Sequence, residues 1–336
     1  MRSRSGARAL RSLVATALLL AGPEPDALAA RPADGPPSYA VLLKSLANPY
    51  WSSLAAGVRG GARTAQVAVT ISGVPSDQAA SAQLDQCRAA LATRPAALLA
   101  ASIDSTNLLP CLAEAHRAHV PVIDLDDNLA PALDRRQGVR VAFRIGADNE
   151  AAGARAAGFV VGRLGGDQAT GNVLVIEGLA GNLSSQQRAD GFAARLHQLA
   201  PHLVIVARAS ADWDREKAAA ITRDVIARAP DLRAIFACND GMVMGALGVA
   251  RQARSPARQA VIVGVDGTGE ALQAIRDGQL DGTVAQLPFL LGQEAVLHTA
   301  ELLAGHAVAR QIDVPTLLVT REILESGSNP LLRDLR

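Results

Sequence analysis

Two tryptophans stand in this chain, and each sits among side chains that hydrogen-bond in pairs. One closes the run Asn48-Pro49-Tyr50-Trp51; the other is the centre of Ala211-Asp212-Trp213-Asp214-Arg215. Aromatic residues make up only 3% of the sequence, so two such clusters, far apart along the chain, are informative. An indole offers a flat apolar face, while amide, carboxylate and guanidinium groups are planar and can bond in a bidentate way. A pyranose has the complementary surface, with apolar C–H faces and a rim of hydroxyls. The chemistry implied is the capture of a sugar between two rings.

Such rings need a scaffold that brings distant segments together. Strand-like runs at 40–43, 67–71, 97–100, 121–125, 172–176, 203–207, 234–237, 260–265 and 283–285 alternate with helical patterns. The helical patterns cover 49–64, 76–92, 107–119, 149–164, 184–199, 214–229, 241–254, 267–277 and 291–304. Repeated βαβ alternation calls for parallel sheets, and strands buried on both faces explain the continuous apolar runs. Ligands of such sheets bind beyond the carboxyl ends of the strands. The residues just past those ends are Lys44, Asp126-Asp127, Asn239-Asp240, Asp266 and, close by, Gln286. Any one of them alone reads as a cap or turn residue. Together they read as a site.

A chain of 336 residues exceeds the usual limit for a single core, so two domains are expected. The formal charge of +1, with scattered Lys and Arg, gives no reason to expect nucleic acid or an acidic membrane surface as partner. The start differs from the rest. Arg2, Arg4, Arg8 and Arg11 precede the apolar stretch Leu13 to Gly22, and Ala27-Leu28-Ala29 supplies small residues for cleavage. This is the pattern of a secretory signal over residues 1–29, and it implies an exported, soluble mature chain.

Export makes a disulfide possible among Cys87, Cys111 and Cys238. Cys87 and Cys111 fall on consecutive predicted helices and either pair or serve as small buried apolar residues; the second reading is favoured. Cys238, in a predicted central strand, is expected to be inert. His116 and His119 read as decoration of one helix surface, and no Cys/His spacing resembles a metal site. The segment Gly162-Arg163-Leu164-Gly165-Gly166 follows a helix and reads as its stop. Glycine spacing in Gly264-Val265-Asp266-Gly267-Thr268-Gly269 is wrong for a dinucleotide loop. With no nucleophile elbow and no zinc signature, neither catalysis nor a cofactor is expected.

The chain resembles the periplasmic ribose-type sugar-binding proteins of bacterial importers over almost its whole mature length. The segments that carry the resemblance are YAVLLKSLANPYW (39–51), PVIDLDDN (121–128), ADNEAAG (147–153), VIEGLAGNLSSQQRADGF (175–192), ADWDRE (211–216), IFACNDGMVMGAL (235–247), VGVDGT (263–268) and TVAQLP (283–288). The resemblance implies an α/β fold of two similar doubly wound parallel-sheet lobes joined by a three-segment hinge. The lobes would hold 38–147 plus 287–315 and 148–286 plus 316–336, with crossings near Ala147-Asp148, Gln286-Leu287 and Pro315-Thr316. It also implies sugar contacts from Asn48, Tyr50, Trp51, Asp126, Arg188, Trp213, Asn239, Asp266 and Gln286. Two positions depart from the ribose pattern: Lys44 stands where a small hydroxyl residue is typical, and Asp127 where an arginine is. With both counted among the sugar contacts, the pattern is most similar to the D-allose-binding branch, and the expected ligand is a neutral six-carbon aldose. Ribose, or another pentose or ketose, is the alternative. The implied partner is an ABC transporter permease in the inner membrane, with a chemoreceptor or sensor kinase as a further possibility. A monomer in the periplasm is expected.

Overall fold

The structure, a computed structural model, describes residues 37–126, 129 and 138–335. The expected signal segment and Asp127 lie outside these residues. Ten strands appear first: β1 (Ser38–Leu42), β2 (Ala68–Ser72), β3 (Ala97–Ala100), β4 (Val122–Leu125), β5 (Val141–Ala147), β6 (Gly171–Glu177), β7 (Leu203–Ser210), β8 (Leu232–Ala237), β9 (Val261–Asp266) and β10 (Gly282–Ala285). Then β11 (Gln311–Val314) returns to the first sheet and β12 (Leu317–Val319) to the second. The sheet orders are β11-β5-β4-β3-β1-β2 and β12-β10-β9-β8-β6-β7, so the two lobes repeat one topology. Neighbours run parallel except β12, which is antiparallel to β10. In each sheet the strand order reverses beside the first strand, where ligands of open α/β sheets bind.

The helices are α1 (Pro49–Ala65), α2 (Ala80–Ala92), α3 (Leu109–Arg117), α4 (Asn149–Arg163), α5 (Leu183–Leu199), α6 (Arg215–Arg228), α7 (Asp240–Gln252), α8 (Gly269–Arg276), α9 (Pro288–Leu303) and α10 (Arg321–Ser326). Side chains cap many of them at their N-termini: Asn48 for α1, Asp148 for α4, Asn182 for α5, Asp214 for α6, Asn239 for α7 and Thr268 for α8. Each cap oxygen satisfies a backbone N–H that the first turn leaves without a partner. In the first lobe α9 lies on α1, so Leu287, Leu291, Ala295 and Val296 join a core with Leu54, Val58 and Phe143. In the second lobe α4 lies against α5. There a Cβ on Gly153 would stand 2.0 Å from the carbonyl oxygen of Arg188, so the approach requires glycine.

Sequence and structure differ in places. Cys87 and Cys111 form a disulfide between α2 and α3, which corrects the favoured reading of two free apolar residues. Both are fully buried, so apolar surroundings and a bond are not alternatives here. Helix α2 begins at Ala80 rather than Ser76, which leaves residues 73–79 as a loop. His119 lies past the end of α3 with φ 55°, rather than on its surface. Strands β5, β11 and β12 and helix α10 are additional. β5 escapes a search for apolar runs because Arg144 interrupts it, and that guanidinium is paired with the buried Asp124 of β4.

Candidate functional site

The first wall of the crevice grows from the exits of β1 and β4. Lys44 follows β1 and is buried, with Nζ 4.9 Å from the ring centroid of Trp51. That places a cation over an indole. Asp77, in the loop before α2, clamps the next turn: Oδ1 accepts from the Ser45 N–H at 2.7 Å and Oδ2 from Asn48 Nδ2 at 3.1 Å. Asn48 Oδ1 accepts in turn from the Tyr50 N–H at 3.1 Å, which starts α1 with Pro49 in its first turn. Tyr50 and Trp51 are therefore delivered by the first turn of a helix whose start is held on both sides. Their rings meet edge to face at 4.8 Å. The Tyr50 hydroxyl donates to Asp126 Oδ1 at 2.7 Å, and Asp126 sits just past β4 with φ 67°.

The second wall centres on Arg188 of α5, which is 4% exposed. Its Nε donates to Asn149 Oδ1 at 2.8 Å, and its Nη1 to the Cys238 carbonyl at 2.8 Å and to Asp266 Oδ1 at 3.5 Å. The surface carboxylate Asp190, two residues on in α5, is paired with Arg208 instead. Asp266 ends β9 at φ 127° and accepts from Gln286 Nε2 at 2.7 Å. Gln286 is 2% exposed and its Oε1 is buried without a protein partner. Asn239 caps α7 by accepting from the Met242 N–H at 2.9 Å, which leaves its NH2 for other use. Trp213 follows β7 in a turn where it and Asp212 both adopt left-handed backbone, at φ 63° and 52°. Two such residues in succession mark a strained turn held by its surroundings.

Lys44, Asn48, Tyr50, Trp51, Asp126, Arg188, Trp213, Asn239, Asp266 and Gln286 line one crevice, with about 360 Å3 of unfilled space counting the part continuous with solvent. Asp77 and Ser184 also line it and were missed from sequence. Asp77 lies in the loop after β2 as the other site residues lie after their strands, but the helical pattern of 76–92 masks it. Asp240 turns away and accepts from the Gly267 and Thr268 N–H groups and the Thr283 hydroxyl, at 2.7–2.8 Å, supporting the turn after Asp266. Hydrogen bonds join the walls: Gln78 Nε2 to the Asp212 carbonyl at 2.9 Å, Asn182 Nδ2 to the Ile103 carbonyl at 2.9 Å, and the Ser105 N–H to the Gly181 carbonyl at 3.4 Å.

Burial dominates the electrostatics. It pushes the Lys44 ammonium down, against the pull of Asp126. It pushes the Tyr50 hydroxyl well above its ordinary value, with Asp126 adding to the rise, so this group stays a donor. Asp266 and Asp240 are both raised, Asp266 by burial against the opposing charge of Arg188, Asp240 by burial and the neighbouring Asp266. Cys238 lies just past β8 rather than within it, and burial pushes its thiol up to about 12, so it is inert.

Residues 39–307 match the model of the periplasmic binding protein domain. A D-allose-binding periplasmic protein of Escherichia coli K12 is 34% identical over 254 residues, 76% of this chain and 80% of that protein. A ribose import binding protein of Bacillus subtilis 168 is 30% identical over 83% of this chain and 86% of its own length. The chain belongs to the ribose/allose-type periplasmic sugar-binding proteins. Among solved structures, an ABC transporter periplasmic solute binding protein of Actinobacillus succinogenes 130z, with bound D-allose, superposes with a TM-score of 0.79. It is 26% identical, covering 86% of this chain and 99% of that one. The two parallel-sheet lobes described above are thus those of a type I periplasmic binding protein. Membership of this sugar-binding protein family implies a sugar ligand, an ABC permease partner and the periplasm.

Proposed function

We propose that this sugar-binding protein captures a neutral six-carbon aldose such as D-allose between Trp51 and Trp213, closes around it and delivers it to its permease. The observation that carries the reading is that these two indoles, from opposite lobes, line a single crevice. The rings cover the apolar faces of the sugar and exclude water. Lys44, Asp126, Arg188, Asn239, Asp266 and Gln286 then hold its hydroxyls, and the buried Gln286 Oε1 is an acceptor in want of one. Asp127, outside the described residues, completes the proposed set. Two cations and three carboxylates line the crevice, Asp77 among them. A phosphorylated or acidic sugar calls for surplus cations, so a neutral one fits better.

The topology supports the proposed closure. The chain passes between the sheets between β5 and β6, between β10 and β11, and between β11 and β12. We take these passages as the hinge, dividing the chain into 38–147 plus 287–315 and 148–286 plus 316–336. A sugar touching both walls favours the shut state by its differential affinity.

A calorimetric panel of D-allose, its epimers, D-ribose and ketoses tests the reading. D-Allose is expected to bind best, and an inverted hydroxyl that leaves a buried group unpaired is expected to cost about 1–3 kcal/mol, roughly tenfold or more. Tighter binding of D-ribose would move the protein to the pentose branch. No binding of any monosaccharide would remove the reading altogether.

A further inference from the structure

Gly178 is the first residue past β6 and is buried. Its backbone is outside the left-handed region, so nothing in its conformation demands glycine. Space does. A Cβ placed there would lie 2.2–2.3 Å from Cζ2, Cε2 and Cη2 of Trp213. Neither backbone is free to give way. The Gly178 N–H donates to Ser185 Oγ at 2.7 Å, and its carbonyl accepts from Ser210 Oγ at 2.5 Å. On the other side, the Ala211 N–H donates to the Glu177 carbonyl at 2.8 Å, and the Asp214 N–H to the Ala211 carbonyl at 2.7 Å. Asp212 is further held by Lys217, at 2.6 Å, and by Gln78 from the opposite lobe. The part left to move is the indole.

We infer that Gly178 is a positioning residue for sugar specificity: by carrying no side chain it seats the Trp213 ring and so sets the depth of the crevice. This rests on the sugar-binding reading above. Carbon atoms in contact stand about 3.5–4.0 Å apart, so a methyl at position 178 forces the ring back by more than about 1 Å. The ring touches Gly178 and also lines the crevice. What it yields at residue 178 it takes from the space for the ligand. A hexopyranose carries an exocyclic CH2OH that a pentopyranose lacks, so the loss falls more heavily on the hexose.

Gly178→Ala, Trp213→Phe and the double variant, each titrated with D-allose and D-ribose by calorimetry, test this. Gly178→Ala is expected to weaken D-allose at least roughly tenfold, and D-ribose less. In the Trp213→Phe background the smaller ring leaves room, so the same methyl is expected to cost less than about threefold. Equal losses in both backgrounds would mean general damage to the fold and would overturn the proposal. If Gly178→Ala does not fold, the double variant decides: refolding supports ring displacement, and failure to refold overturns it. A second readout needs no sugar. Trp51→Phe leaves Trp213 as the single indole, since the chain has only two. Adding Gly178→Ala to that protein is expected to shift the fluorescence emission maximum; an unchanged spectrum would sink the proposal. Should the parent bind no monosaccharide, the reading of the ligand falls while the emission shift still decides whether Gly178 seats the ring.

Discussion

Asp266 ties the proposed site to pH, and it does so with opposite signs for stability and for binding. Burial raises its carboxyl to about 6, against an ordinary value of 3.8. A raised carboxyl takes up a proton more readily in the folded chain, so its contribution to stability is present below pH 3.8 and is lost as pH rises through about 6. Binding runs the other way, because the ionised carboxylate is the stronger acceptor for sugar hydroxyls and for Arg188. Sugar affinity is therefore expected to fall by roughly tenfold between pH 7 and pH 5, while the sugar-free protein gains stability from this group over the same interval. Calorimetry and thermal melts across that range check both. Asp266→Asn should flatten the binding trend, and an unaltered binding profile in that variant would assign it elsewhere, while the stability trend keeps the part contributed by the buried Asp240. The indoles give a cruder expectation. Trp51→Ala and Trp213→Ala should each weaken sugar binding by more than about tenfold with the melting transition retained. Loss of the transition itself would make them core residues instead.

At the scale of elements, what the sequence made legible followed buried apolar runs and side chains past strand ends. Parallel strands such as β3, β4 and β9 are buried throughout, and so their runs of Val, Ile, Leu and Ala stood out. Lys44, Asp126, Asn239 and Asp266 were found because position after a strand is a local property. Three-dimensional pairing was not legible. Arg144 hid β5 because its partner Asp124 lies on another strand, and Gln83 looked like any polar helix residue. Gln83 in fact bonds the carbonyls of Leu43 and Ala101 and accepts from Ile103 and Asn107, joining the exits of β1 and β3 behind the crevice. The disulfide is legible only as one of two readings for a related reason: helical spacing does not say which helices pack. It closes a loop with a sequence separation of 24, and its reduction is expected to cost about 3 kcal/mol of stability, measured by denaturant melts with and without a thiol reductant. Because α2 follows the loop that carries Asp77 and Gln78, sugar affinity should fall on reduction as well. Gln78→Ala removes a hydrogen bond between the lobes and should speed sugar release severalfold with little change in the rate of capture, as stopped-flow fluorescence would reveal.

For the whole molecule, neither lobe is a continuous stretch of chain. The first sheet is completed by β11, and the face of α1 that carries Leu54 and Val58 is covered by α9, both from the last part of the sequence. The second sheet gains β12 later still. A fragment ending after α4 would leave that face of α1 open to water, and it is expected to lack a cooperative melt while the full chain shows one. Saturating sugar should raise the melting temperature of the full chain, since a ligand that engages only the native state adds to its stability. The same threading governs timing during synthesis. The first core waits for α9 and β11 and the second sheet for the edge strand β12, so the lobe that begins first in the sequence is expected to close its core only after most of the second has been made.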